Sequence, residues 1–164
     1  FASDTLVVKP PISGGADGTF RLSKDGLLPA SIAGRRMMIQ PYLPSIAAEG
    51  EYSRFYFGGV FSHSIIKRPA DGDFRVQDQF GGYEEVIEAP EDAKPLAEAV
   101  LSVTAAITQT SALAYARVDM LRDGEGQFRL MELELIEPSL FLRFAPDNGI
   151  AFAEAMTARL HPVR

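Results

Sequence analysis

The chain has 164 residues, 46% of them hydrophobic and 23% charged, with a formal net charge of −6. That length suits one globular domain with a sizeable core, and the acidic balance argues against a nucleic-acid sleeve, which needs clustered Lys and Arg. There is no cysteine, which excludes a disulfide framework and a thiolate metal site. No run of 18 apolar residues offers a membrane span, and no basic-then-apolar signal segment opens the chain, so a cytoplasmic location is expected.

In chain order, residues 5–9 (TLVVK) read as a buried strand that ends at Pro10-Pro11. A glycine-rich loop follows at 13–19 (SGGADGT), and 19–22 (TFRL) can return as a hairpin partner. Residues 23–36 suggest no more than a short helix. Residues 36–44 (RMMIQPYLP) predict a strand closed by prolines, and SIAAEG reads as a loop. Two β-rich runs around Gly58-Gly59 within 51–69 signal a hairpin, and 70–85 read as a polar, mobile loop. Asp92 can cap a helix running to about Thr110, with an apolar stripe of Leu96, Ala99, Val100, Val103 and Ile107. A second hairpin spans 116–135, and a last helix runs from about Ile150 to Leu160 before Pro162. Together these predict an α+β domain, an antiparallel sheet with helices packed on one side.

The 116–135 hairpin, ARVDMLRDGEGQFRLMELEL, carries three acids inside otherwise apolar strands. Residues two apart share a strand face, so Glu132 and Glu134 lie together. Pairing Asp123 with Phe128 across a Gly124–Gln127 loop places Asp119 opposite Glu132. One face then holds Arg117, Asp119, Leu121, Leu130, Glu132 and Glu134; the other holds Ala116, Val118, Met120, Met131, Leu133 and Leu135. Three hard oxygen donors suit Mg²⁺ or Mn²⁺. An exposed sheet face whose acids simply meet water fits the same alternation.

Three further segments have the chemistry of a phosphate site. Lys9 at a strand end before a glycine-rich loop can neutralise phosphate oxygens while backbone N–H groups line the pocket, although the order Gly-Lys-Ser/Thr of a Walker motif is absent. The proline-flanked end of the 36–44 strand leaves backbone groups free for a flat heterocycle, and Glu51 downstream can accept from a sugar hydroxyl. Lys67, Arg68 and Arg75 bracket a glycine-bearing loop that can close over an anion. Each feature also has an ordinary structural reading as a surface lysine, a strand end or a solvated loop.

The order of these features resembles the ATP-grasp superfamily over roughly residues 5–140. ARVDML and LMELELIEPS resemble the Arg-x-Asp and Glu-x-Asn motifs of D-alanine–D-alanine ligases and bacterial glutathione synthetase; QPYLPSIAAEGEYSRFYFGG and KRPADGDFR resemble glutathione synthetase and its peptide-ligase relatives. The resemblance implies an ATP-dependent carboxylate–amine or carboxylate–thiol ligase that works through an acyl-phosphate, with ATP and Mg²⁺ (or Mn²⁺) as cofactors. Its partners would be small-molecule carboxylate and amine or thiol substrates, with no nucleic acid, no membrane and a possible homo-oligomer. Lys9 would contact phosphates beneath a loop shaped by Gly14, Gly15 and Gly18. Gln40, Pro41 and Leu43 would form the adenine hinge and Glu51 would hold the ribose. Asp119, Glu132 and Glu134 would bind the metal, and Arg117, with Arg68 or Arg75, would stabilise transferred charge.

Gln40 stands where many members have Glu, and Glu134 where Asn usually completes the metal site. A chain that begins with Phe1 almost inside a strand is expected to be the C-terminal portion of a larger enzyme, 1–164 forming part of the ATP-grasp domain. Alone it is expected to bind Mg-ATP weakly and to ligate nothing. The loops at 12–19 and 70–83 are expected to be poorly ordered without nucleotide. His63 and His161 read as surface or structural residues. Two rival readings are a non-catalytic module that keeps the fold for nucleotide or partner binding, and a metal-dependent hydrolase built on the carboxylate triad.

Overall fold

Two antiparallel sheets meet along a cleft in the computed structural model, which describes residues 3–110 and 113–160. The smaller sheet joins β1 (Thr5–Lys9), β2 (Phe20–Ser23) and β3 (Met38–Pro41) in the order β2-β1-β3. The larger joins β4 (Glu51–Phe57), β5 (Val60–Arg68), β6 (Tyr83–Ile87), β7 (Tyr115–Arg122) and β8 (Phe128–Glu134) in the order β6-β5-β4-β7-β8. Every pairing is antiparallel, so the α+β class holds. The β4–β5 turn uses Gly58 and Gly59 at positive φ, as the hairpin reading requires.

Helix α2 (Lys94–Thr108) covers one face of the large sheet. There Ala93 and Ala97 pack with Tyr56, Ala116, Val118, Met120 and Phe128. Helix α3 (Ile150–Leu160) sets Phe152 and Ala155 against Phe55, Phe57 and Ile65. Those residues alternate with Tyr56 along the strands, so α3 lies on the opposite face and the helices are not confined to one side. Among the described residues no helix is long and apolar enough to cross a membrane.

Several local expectations are corrected. SIAAEG is not a loop but opens as a short helix, α1 (Ser45–Ala48), tied to the sheet by Ser45 Oγ donating to the Arg122 carbonyl at 2.5 Å. Residues 83–85, read as the end of a loop, open the edge strand β6 (Tyr83–Ile87). Asp92 does not cap α2; it accepts from Arg122 at 2.6 Å instead. The buried side of α2 runs through Ala93, Ala97 and Thr104, with Val103 (57% exposed) and Ile107 (75%) turned outward. Of the predicted stripe, Leu96 and Val100 pack on the core beside Ala97, and the contact face continues through Leu101 and Thr104 rather than Val103 and Ile107.

The β7–β8 hairpin holds the most informative correction. Arg122, not Asp123, pairs with Phe128, while Asp123 donates its N–H to Gln127 O at 2.9 Å. A bulge between Asp119 and Met120 then makes Met131 the extra residue and restores Asp119 opposite Glu132. The bulge also exchanges two side chains. Met131 joins Leu121 on the acid-bearing face, and Leu130, expected beside the acids, pairs with Met120 and is 41% exposed.

Candidate functional site

Strand register assembles the site in rungs. Across β5-β4-β7-β8, Ile65, Ser53, Asp119 and Glu132 stand side by side; the next rung is His63, Phe55, Arg117 and Glu134. A third, across β6-β5-β4, is Glu84, Lys67 and Glu51. Partners in register share a face, so five acids and two cations, Lys67 and Arg117, converge on the side of the large sheet that faces β1 and β3.

At the bottom lies Asp119, fully buried. Its face is not open to solvent as the alternation suggested. Ser53 Oγ donates to Asp119 Oδ1 at 2.5 Å, Arg117 Nε to Oδ2 at 3.0 Å, and Lys67 Nζ sits 3.2 Å from Oδ2. Lys67 also meets Glu51 at 2.5 Å, and Arg117 Nη2 bonds Glu134 Oε1. Burial alone would push the Asp119 carboxyl up, but Lys67, Arg117 and the Ser53 hydroxyl hold it below its ordinary value. Burial would likewise pull Lys67 down; Asp119 and Glu51 reverse this and raise it.

Glu132 behaves in the opposite way. Burial, then the charges of Asp119, Glu134 and Glu51, push it up to about 7, with Lys9 opposing. Its one ion pair among the described residues is a 3.9 Å approach to Arg117. Asp119, Glu132 and Glu134 each place a carboxylate oxygen within 4.8 Å of the others. This donor set fits a hard divalent cation: three carboxylates, one of them destabilised for want of positive charge.

The cleft above these residues has a volume of about 500 Å³. Lys9, Gly14 and Gly15 line it from the smaller sheet and its loop, Gln40, Pro41 and Leu43 from the strand end, and Glu51, Lys67, Arg75, Arg117, Glu132 and Glu134 from the larger sheet and the loop before β6. One part of the wall is apolar, where Ile46, Val76 and Leu121 pack with Tyr42, Leu43, Phe74 and Met131. Met131 closes the gap between sheets. Its carbonyl accepts from Lys9 Nζ at 3.0 Å and its sulfur from Gln40 Nε2 at 3.4 Å. The two glycine-bearing loops also touch, Gln79 Nε2 donating to Gly15 O at 2.9 Å.

Not every expected residue reaches the cleft. Gly18 lies outside its lining, where a Cβ would come within 3.2 Å of the Pro10 ring. Arg68 points to a separate surface hollow beside Ala47 and Tyr83, and bonds Glu85 and the Glu49 carbonyl. Arg75 lines the cleft, but Asp73 grips it at 2.7 Å and it stacks over Phe80 at 3.6 Å. His63 is buried and stacked on Phe55 at 4.3 Å, a structural position; His161 lies outside the described residues. Sequence reasoning assigned no role to Ser53 and read Lys67 only as a cation flanking the loop over an anion, not as the partner of Asp119 and Glu51. The signal was present, since both follow Glu51 or face it at strand spacing, but only the β4–β5 register brings them together.

No protein-family model matches the chain. The cycloserine biosynthesis protein DcsG of Streptomyces lavendulae is 35% identical over 133 residues, 79% of this chain and 44% of DcsG. The crystal structure of D-cycloserine synthetase DcsG superposes with a TM-score of 0.81 at 30% identity, covering 97% of this chain and 57% of that one. A D-alanine–D-alanine ligase from Bacillus anthracis gives a TM-score of 0.59 at 25% identity, over 93% and 51%. The ATP-grasp ligase PsnB, solved with a minimal precursor, Mg and ADP, shares the fold at 15% identity and a TM-score of 0.59, over 93% and 46%. This chain therefore spans about half the length of the proteins it matches.

Proposed function

The chain belongs to the ATP-grasp superfamily, and from that premise we propose that it carries the nucleotide and metal site of an ATP-dependent ligase joining a carboxylate to an amine or thiol. The observation that carries this reading is the convergence, on one cleft between two sheets, of an apolar slot, a lysine with a glycine loop, and an acid cluster interleaved with Lys67 and Arg117.

Adenine would enter the slot formed by Leu43, Ile46, Val76 and Leu121, with the backbone of Pro41 and Leu43 at its edge. Glu51 lines the cleft within reach of a ribose. Lys9, Lys67 and Arg117 present positive charge to the phosphates, and the Gly14–Gly15 backbone covers them. Mg²⁺, when held by Asp119, Glu132 and Glu134, would supply charge neutralisation to the β- and γ-phosphate oxygens. The protein's own part is positional. Ser53, Lys67 and Arg117 fix the Asp119 carboxylate in one orientation, and Arg117 remains close to Glu132 and Glu134, where charge on a transferred phosphoryl would develop. The carboxylate substrate would attack the γ-phosphate to give an acyl-phosphate and ADP, and the amine or thiol would then displace inorganic phosphate.

The test is ADP formation by the full-length gene product with Mg-ATP and a panel of amino-acid acceptors. A ligase turns over ADP continuously only when both the carboxylate and the nucleophile are present, the carboxylate alone giving at most one ADP per site. Phosphate release that needs no acceptor would favour a hydrolase, and no nucleotide turnover with any acceptor would favour a binding module.

A further inference from the structure

Five cationic side chains line the cleft, and four are committed elsewhere: Lys9 to the Met131 carbonyl, Lys67 to Glu51 and Asp119, Arg75 to Asp73, and Arg117 to Asp119 and Glu134. The fifth, Arg143, differs in kind. It sits in the segment after β8, its side chain is 60% exposed, and its ion partner is Glu84 on the edge strand β6. From this geometry we infer that Arg143 is the anchor for the carboxylate of an amino-acid acceptor, with Glu84 holding its place in the free protein. The inference rests on the ligase reading above.

Three observations support the assignment. First, Arg143 is pre-set but not enclosed. Its guanidinium lies 4.6 Å from the Phe144 ring and 5.3 Å from the Phe141 ring, which limits its rotamers, and among the described residues only Nη2 is engaged, by Glu84, the carboxylate that a substrate carboxylate would replace. Second, its segment is fixed to the reaction centre. Arg117 Nη1 donates to Ser139 O at 3.1 Å, and Phe141 is held at φ 46 while packing on Phe55. A left-handed phenylalanine costs free energy and persists only where its surroundings impose it. Third, the charges around Arg143 suit a zwitterion. Glu137 lines the same cleft and would receive an ammonium while Arg143 takes the carboxylate. Glu84 need not be stranded when Arg143 turns away, since Lys67 stands opposite it in the β5–β6 ladder.

The experiment measures acceptor-dependent ADP formation by the full-length gene product, with D-alanine, D-serine and D-alaninamide as acceptor probes, each beside one fixed carboxylate co-substrate that has no free amine. Wild type, Arg143→Gln and Glu84→Gln are compared at saturating Mg-ATP, and then ATP is varied. Loss of a charge-assisted pair should raise KM for the acids about tenfold to a hundredfold in Arg143→Gln and remove the preference for D-alanine over D-alaninamide. Glu84→Gln should lower the acceptor KM, because it removes the internal competitor; a merely structural ion pair would make both variants worse. An unchanged acceptor KM in Arg143→Gln, with ADP formation intact, would overturn the Arg143 assignment alone. A rise confined to the KM for ATP would reassign Arg143 to phosphate and overturn it equally. No ADP from wild type with any probe would overturn the ligase reading and this inference together.

Discussion

Asp119→Asn and Glu132→Gln each remove one negative charge from residues that face each other across the same ladder, yet they should have opposite effects on the metal-free fold. Asp119 has no exposed surface, and Lys67 and Arg117 are nearly as buried beside it. Asparagine keeps the oxygen that accepts from Ser53 but leaves Lys67 with Glu51 alone and Arg117 with Glu134. Removing one partner of a buried ion pair costs about 3–5 kcal/mol, a large part of the roughly 5–15 kcal/mol that holds a domain together. At about 2–4 °C per kcal/mol for a chain of this size, the melting temperature should fall by roughly 6–20 °C. Glu132 is 40% exposed at its side chain and is crowded by acids rather than held by cations. Its neutral isostere relieves repulsion, so Glu132→Gln should leave the metal-free melting temperature unchanged or slightly raised. Scanning calorimetry in chelator at pH 8, where both carboxylates are ionised, makes the comparison. A melting temperature for Asp119→Asn within about 2 °C of wild type, or equal losses in both variants, would refute the account of the buried network.

The raised Glu132 carboxyl makes cation binding depend on pH. A proton must leave before a metal enters, so with the group at about 7 in the metal-free protein Mn²⁺ affinity should increase about tenfold from pH 6 to pH 8. Counting free Mn²⁺ by electron paramagnetic resonance checks this, and a flat profile would remove Glu132 as a ligand. Gly50, at φ 101, precedes Glu51, and a Cβ there would come within 2.6 Å of the Lys67 carbonyl. Gly50→Ala should therefore destabilise by about 1–3 kcal/mol and weaken nucleotide binding with it; a neutral melting temperature would show that the β4 entry is less constrained than its geometry implies.

Much of the site was legible because strand alternation is a strong signal. Asp119 opposite Glu132 follows from the hairpin pattern, and the structure keeps that pairing even though the turn is shifted by one residue and the bulge compensates. The bulge itself was not legible: nothing in FRLMELE marks Met131 as the residue that changes face, and its role as the contact between sheets appears only with Lys9 and Gln40 in place. Burial of Asp119 was misread for a related reason. A charged residue on a polar-looking face suggests water, but β5 lies beyond β4 and brings Lys67 over it. Ser53 was hidden, and so was the pairing of Lys67 with Asp119, because both depend on three strands at once, whereas Lys9, the glycine loop and the proline hinge announce themselves locally. The outer part of the α2 stripe was misplaced because Ala97 and Thr104, which carry little weight in an apolar stripe, mark the buried side between Leu96, Val100 and Leu101.

Titration calorimetry of Mg-ATP into the protein tests the central claim, that the cleft between the two sheets is a metal-dependent nucleotide site. One-to-one binding that vanishes in chelator and is lost in Glu132→Gln, whose fold should be intact, is the expected result. No saturable heat from the full-length gene product, or binding indifferent to both the metal and Glu132, would contradict it.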